Sequence, residues 1–430
     1  MTLYLDPSYN SSKFRSEFRL PKSNGVYKPD MRLLNIGVSK SAGGNTSYNI
    51  LTGAYGVIES LAIYSGSQVV DQVLHFSEYV SMKNLLHSNS DNQSLKRPLV
   101  RNKLGYVSTG LDVINGGTGV ITKTIKQSNA VPNDFNTIYT SAATVAQQAT
   151  NGSWLDLSEC FGFLRASEYV PMNIYPDLRV VVNYKNSAGL LDIVTDRTAS
   201  VETLEPLLVV EYETNPEVAE KQMREYQGIS FEPVEWDQVQ MVRDTTPTDT
   251  SREQTASYLV KGFNDKYISK LVILNTGTDN STWNNAGSNA PMSNQGSTSQ
   301  IDWGFQVRMN GSNMFPKTEV EGKNRRLGMM VDSWGSMNLC YGQTITYPTN
   351  STDIAITDLV TTNGQADYSG FKIDDVVKEL KLNVSRTAVG PPNATPTGNT
   401  GLRQRLNLNM FGISRKRVVP TSSGLMIQYY

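Results

Sequence analysis

The 430-residue chain carries 39 Lys and Arg against 40 Asp and Glu, a formal net charge of −1, and 18% of its residues are charged, below the roughly 25% of an average soluble chain. Two Cys and two His exclude a disulfide framework and leave no material for a Cys/His structural zinc site beyond a single ligand set. The balanced charge excludes a chain built to grip nucleic acid or an anionic membrane through an overall basic field.

The first 22 residues hold no apolar stretch of about 7 or more residues and carry Asp6 early, so they do not read as a signal peptide. Nowhere does an apolar run approach the ~18 residues of a membrane span. The expectation is synthesis in a reducing cytosol, with Cys160 and Cys340 as free thiols. Residues 1–32 hold Lys13, Arg15, Arg19, Lys22, Lys28 and Arg32 against Asp6, Glu17 and Asp30. Either this is a strand edge guarded by charge or it is a basic arm turned toward something anionic.

Short β-strands dominate the chain beyond this basic segment. Residues 31–38 (MRLLNIGV), 55–64 (YGVIESLAIY), 68–73, 178–184 (LRVVVNY) and 207–212 (LLVVEY) are β-branched and aromatic runs bounded by turn formers. Residues 71–86 are a minor helix candidate. A clearer helix is predicted over 215–227, with Asn215 as cap, Pro216 at the first position, Glu217 at the positive dipole end and Gly228 beyond. Ala219, Met223 and Tyr226 would share its docking face.

Further strands are predicted at 267–274 (YISKLVIL), 300–309, 327–334, 406–410 and 425–430. In 267–274, Ile268, Lys270, Val272 and Leu274 would lie on one side and Tyr267, Ser269, Leu271 and Ile273 on the other. Such imperfect alternation fits a sheet covered on one face and partly covered on the other. Residues 373–380 (IDDVVKEL) are a second minor helix candidate. Two long loops, 276–300 with Asp279 as its single charge and 387–401 with none, suit exposed tips on a rigid scaffold. The last segment, 402–430, carries Arg403, Arg405, Arg415, Lys416 and Arg417 without an acid.

The two halves echo one another. Each opens with a strand ending in a Gly turn (55–66 and 267–277) and closes on a strand pair rich in aromatics (178–184 with 207–212; 406–410 with 425–430). The fold class is therefore all-β, two tandem β-sandwiches with few short helices and long surface loops. The domains are an N-terminal arm at 1–30, a first sandwich at 31–235 with a linker helix near 215–227, and a second sandwich at 236–430.

No constellation selects a chemistry, so no catalytic, cofactor-binding or metal-binding residue is assigned. His75 and His87 lack a Gly-x-Ser-x-Gly elbow to supply a nucleophile. Cys160 and Cys340 sit among apolar neighbours and read as small core residues. Residues 115–119 (NGGTG) lack the Lys-Ser/Thr of a phosphate loop. The acid pairs Asp374–Asp375 and Glu232/Glu235 have no spacing that defines a glycosidase or a metal site.

Three runs carry a family resemblance: RLPKSNGVYKPDMRLLNIGV at 19–38, YNILTGAYGVIESLAIYSGSQVVDQV at 48–73, and SWLDLSECFGFLRASEYVPMNIYPDLRVVVNYKN at 153–186. Over residues 19–212 the chain resembles double-jelly-roll major capsid proteins of tailless icosahedral DNA viruses, of the polinton-like virus and virophage type. In the second half the likeness rests on strand order and loop style. The resemblance implies that each sandwich is an eight-stranded jelly roll and that the chain is a structural protein of the virion and no enzyme, forming pseudo-hexagonal homotrimeric capsomers that tile an icosahedral shell. Its implied partners are itself, penton and minor capsid proteins, and an internal membrane or genome met by the basic N-terminal arm. The competing readings are a carbohydrate- or receptor-binding β-sandwich (fibre, tail or surface lectin) using Trp283, Tyr341 and Tyr347, and a β-sandwich hydrolase.

Overall fold

The computed structural model describes residues 1–11, 14–21, 25–41, 46–48, 52–87, 99–101, 113–114, 121–122, 137–140, 142–194, 200–241, 253–277, 300–320, 354–358, 371–372, 379–389, 406–421 and 424–429. In the first half, two antiparallel sheets enclose one core. One sheet runs Thr2–Leu5, Leu207–Glu211, Arg32–Ile36, Ser153–Asp156; the other runs Tyr9–Ser11, Arg15–Arg19, Leu178–Tyr184, Ile58–Ser65, Gln68–Val73. Alternation decides what points inward. In LRVVVNY, Val180 and Val182 stand beside Phe18, Leu61 and Ile63 across the ladder. They join Leu33, Leu155, Leu208 and Val210 of the other sheet in one buried cluster. Each such side chain contributes about 1.5–3 kcal/mol by leaving water.

The second half repeats the plan. Val234–Met241, Leu406–Ser414, Tyr267–Gly277 and Ile354–Asp358 form one sheet, with Phe371–Lys372 also paired to Tyr267–Gly277. Glu253–Leu259, Leu380–Val389, Gln300–Met309 and Ser312–Val320 form the other. Leu271, Ile273, Leu408 and Met410 from the first meet Phe305, Val307, Leu382 and Val384 from the second in a separate core. The opposite face of the first sheet is buried too: Val272, Leu274 and Phe411 belong to the core of the first half. This is why 267–274 alternates so poorly. A register shift between Ile268 and Lys270 also moves Ile268 into the second core, with Leu271 and Ile273, against the sequence expectation.

The two halves are thus pressed together along a seam. Trp236, Phe411 and Val272 stand in register across three strands. The His75 ring stacks on Trp236 at 3.8 Å, and Tyr79 meets Phe411 at 5.7 Å between ring centroids. Asn409, fully buried here, accepts hydrogen bonds from Trp236 Nε1 at 3.2 Å and Gln238 Nε2 at 3.3 Å. A three-stranded sheet, Ile229–Phe231 with the hairpin Lys416–Thr421 and Gly424–Tyr429, closes the seam, with Phe231 packed edge-on to Phe163 of the first half. Gly162 lies so close that a Cβ would come within 2.4 Å of the Glu232 carbonyl oxygen.

Several expectations need correction. Residues 55–57 belong to a 3-10 turn, Gly53–Val57, and the strand begins at Ile58. Asp71 to Val73 stay in a strand, and the helix runs Phe76–His87, the reversal being made at His75 with φ 48°. The helix Pro216–Glu225 is capped as its sequence predicts, the Asn215 side chain accepting from the Glu217 amide at 3.0 Å. Tyr226, however, is already extended and packs edge-on against Tyr175. The 327–334 strand and residues 373–378 of the 373–380 helix lie outside the described residues, and Leu380 opens a strand.

The tandem echo holds for Ile58–Ser65 beside Leu178–Tyr184 and Tyr267–Gly277 beside Leu406–Ser414. It fails for the last strand, which forms the seam hairpin instead of a counterpart to Leu207–Glu211.

The described strands within residues 1–30 do not hang free as an arm. Thr2–Leu5 pairs with Leu207–Glu211, and Arg15–Arg19 pairs with Leu178–Tyr184, because Ser16 and Phe18 face the core and are fully buried. The basic residues alternate with them on the outer face. Glu17 receives Arg179 at 2.9 Å, Arg15 at 3.1 Å and Arg19 at 3.5 Å, and Lys28 lies 3.5 Å from Glu211. Arg32 lies over the Trp154 ring at 5.4 Å. Lys13 and Lys22 fall outside the described residues.

Two outcomes are expected. Gly162→Ala should destabilise the protein by about 1–3 kcal/mol, since the new methyl meets backbone that must shift; chemical denaturation measures this, and an unchanged midpoint would show that the halves are not held in contact there. Burial works to raise the Glu17 carboxyl, but the hydrogen bond and charge of Arg179, then those of Arg15, outweigh it and hold the group below its ordinary 4.5. Its contribution is therefore complete above that value and is lost as pH falls through the depressed one. Glu17→Gln should cost about 1–2 kcal/mol at pH 7 and flatten the stability curve on the acid side, read by urea titration at pH 3 to 7.

Candidate functional site

The residues that the sequence offers for chemistry are dispersed by the fold. His75 stacks on Trp236, with Nδ1 3.6 Å from the Glu59 carboxylate. Glu59 also receives Lys185 at 3.0 Å, and Lys185 lies 3.7 Å from Glu78. Glu78 is fully buried and accepts a hydrogen bond from Ser77 Oγ at 2.7 Å. Burial alone would raise the Glu78 carboxyl, yet Lys185, then His75 and Ser77, hold it below the ordinary range. The arrangement is a charge-compensated joint at the start of the helix Phe76–His87. Of His87 only the backbone is described.

Cys160 is buried, and burial pushes its thiol up to about 12, so the thiolate a nucleophile needs is not accessible near neutral pH. Its role is packing between Leu157 and Phe161. Cys340, Asn115–Gly119, Asp374, Asp375, Trp283, Tyr341 and Tyr347 lie outside the described residues. Glu232 and Glu235 part company: Glu232 is exposed beside Arg415 at 3.8 Å, while Glu235 is buried against Lys266 at 2.5 Å. Among the described residues no three His, Cys, Asp or Glu side chains are grouped to hold a metal ion. No helix among them is long and apolar enough to cross a membrane.

What the fold does assemble is a charged seam. A cavity of about 360 Å³ opens where the halves meet, lined by Asp71 and Gln72 of one half and Glu235, Lys416, Ile427 and Tyr429 of the other, among others. Gln68–Val73 is an edge strand, and edges leave carbonyls and amides to satisfy. Lys416 Nζ supplies the need, donating to the Val70 carbonyl at 2.6 Å and the Val69 carbonyl at 3.2 Å. Its ammonium also lies 5.7 Å from the Tyr429 ring centre and 5.9 Å from that of Phe231, within reach of cation–π attraction. Asp71 is held by the amides of Gln72 at 2.8 Å and Phe163 at 2.9 Å.

The sequence singled out Lys416 and Glu235 for other reasons and missed Asp71 and Lys266. A signal was present: Asp71 interrupts QVVDQV at a strand-interior position, where a carboxylate needs buried partners.

The described geometry contains tandem sandwiches locked by a seam, and comparisons with known proteins agree with it. No protein-family model and no curated protein matches the sequence. Solved structures do match in fold. A chain of the PBCV-1 virus capsid is 10% identical, with a TM-score of 0.58 over 100% of this chain and 97% of that one. The Faustovirus major capsid protein is 8% identical, with a TM-score of 0.57 over 98% and 90%. A chain of the Sputnik virophage is 10% identical, with a TM-score of 0.55 over 100% and 88%. The likeness runs through both halves, and the chain has the double-jelly-roll fold of these capsid proteins.

Proposed function

We propose that this chain is a structural major capsid protein that self-assembles into homotrimeric, pseudo-hexagonal capsomers tiling an icosahedral virus shell. The observation that carries this reading is the match in fold over nearly the whole length of capsid chains, both rolls together. The physical logic is simple. Two similar sandwiches rigidly joined in one chain and repeated about a three-fold axis present six similar wedges, an outline that can tile a facet. Pairing of the strands Ile229–Phe231 and Val234–Met241 with the C-terminal segment supports a division of the rolls before Ile229, ahead of the boundary at 235 that the sequence suggests. The site of action is the virion, and the first partner is a second copy of the chain.

Surface chemistry supports association. Tyr4, Tyr9, Phe14 and Trp154 are large, exposed apolar side chains of the first roll, Tyr4 at 67% and Trp154 at 41% exposure. Stable oligomer interfaces on the order of 2,000 Å² cover such groups. Penton and minor capsid proteins are further partners of the proposed shell. A membrane or genome contact through residues 1–30 draws less support from this chain. Arg15, Arg19 and Lys28 are ion-paired, and the strands that carry the segment are built into the first roll.

The full-length protein should sediment as a trimer of about three times 47.5 kDa. Trp154→Glu should weaken association by at least roughly tenfold without unfolding the monomer, since it removes apolar contact at a position already in water. A wild-type monomer retained on a sugar column would instead establish the carbohydrate-binding alternative.

A further inference from the structure

The seam holds a carboxylic acid that the capsid reading does not use. Asp71 is 1% exposed and sits on the edge strand of the first roll, on the wall of the inter-roll cavity. The charged and titratable groups around it come from every element packed there. Lys416 is on the first strand of the C-terminal hairpin and Tyr429 on the second. Glu235 is on the strand Val234–Met241, with Lys266 2.5 Å from it. Tyr79 is on the helix Phe76–His87. The hydrogen bonds of Asp71 and Lys416 go to backbone, not to each other: Asp71 accepts from the Gln72 and Phe163 amides, and Lys416 donates to the Val69 and Val70 carbonyls.

We propose that Asp71 is a proton switch on the joint between the two jelly rolls, the joint being tight when the carboxyl is protonated and loosened when it ionises. A buried ionised carboxylate is favoured by opening the seam, because opening hydrates it more fully. The protonated acid has no charge to rehydrate, at the cost of weakening one of its two amide hydrogen bonds. Lys416 is held by the edge carbonyls and the aromatic rings in either state, so the hairpin stays registered while its grip changes.

The direction comes from linkage. Burial raises the Asp71 carboxyl from its ordinary 3.8 to about 7, against the opposing pull of the Phe163 amide and Lys416. A group raised on folding contributes stability that is complete below its unfolded value and is lost as pH rises through the folded one. The sensitive window is therefore about pH 4 to 7, with the loss complete just above neutrality. Burial works on Lys416 in the opposite sense, lowering it against the charges of Asp71 and Glu235.

The test is hydrogen exchange on the full-length protein, following the amides of the hairpin Lys416–Tyr429 and the strand Gln68–Val73, corrected for intrinsic exchange. Local opening should increase on the order of tenfold between pH 6 and 8 in the wild type. In Asp71→Asn, which keeps the side chain's size without its charge, that increase should vanish. Infrared spectroscopy of the wild type alone gives an independent reading: a protonated carboxyl band, absent from a global unfolding control, should titrate away between pH 6 and 8. Protection that rises with pH, a pH dependence retained in Asp71→Asn, or the absence of a titrating carboxyl band in the wild type would each overturn the proposal. None of these outcomes depends on whether the protein forms a shell.

Discussion

The structure depends on one sheet that is covered on both faces along its central strands. Leu408 and Met410 enter the second core, while Phe411, next along the same strand, enters the first. A sheet in that position cannot be moved without exposing apolar surface on two sides at once, so the halves are held in one relative position by packing and not by a tether. The helix Phe76–His87 and the Trp236–Phe411–Val272 row are the two surfaces in contact. Close backbone approach at Gly162 and the buried polar satisfaction of Asn409 arise from the same constraint. So does the placement of Lys416, which fills the hydrogen-bonding need of an edge strand that the other roll has come to cover.

This explains how a chain with so little chemistry is so strongly specified. Low overall charge leaves few groups to compensate, and several of the buried ones come in compensated sets: Glu17 with three arginines, Glu78 with Lys185, Glu235 with Lys266. Removing one partner from such a set costs more than the pair contributes, since a lone charge remains in low dielectric. At the seam itself, Lys416 on the Val69 and Val70 carbonyls and the His75 ring on Trp236 favour one register of the two rolls over others.

Much of the fold was legible in the residues. LRVVVNY and QVVDQV read as strands and are strands with the same ends, and the Asn215–Pro216–Glu217 start of the linker helix was written in its capping chemistry. Local signals failed where long-range packing decides. Nothing within 267–274 reveals that a register shift sends Ile268 to the other face, because the shift is set by its partner strand. The N-terminal cations read as an arm because charge was visible and the buried Ser16 and Phe18 between them were too short a pattern to announce a strand. The C-terminal LMIQYY looked like the close of a sandwich; its true partner is the adjacent RVVP, a hairpin at the seam. The site was the least legible part, since Asp71, Glu235 and Lys416 lie far apart in sequence and meet only once two rolls have formed.

Electron microscopy of the assembled full-length protein tests the central claim most directly. Two locked rolls per chain around a three-fold axis predict particles of pseudo-hexagonal outline with six similar densities, paired within each chain along a fixed seam. Isolated two-lobed particles, or lobes at variable separation, would contradict it.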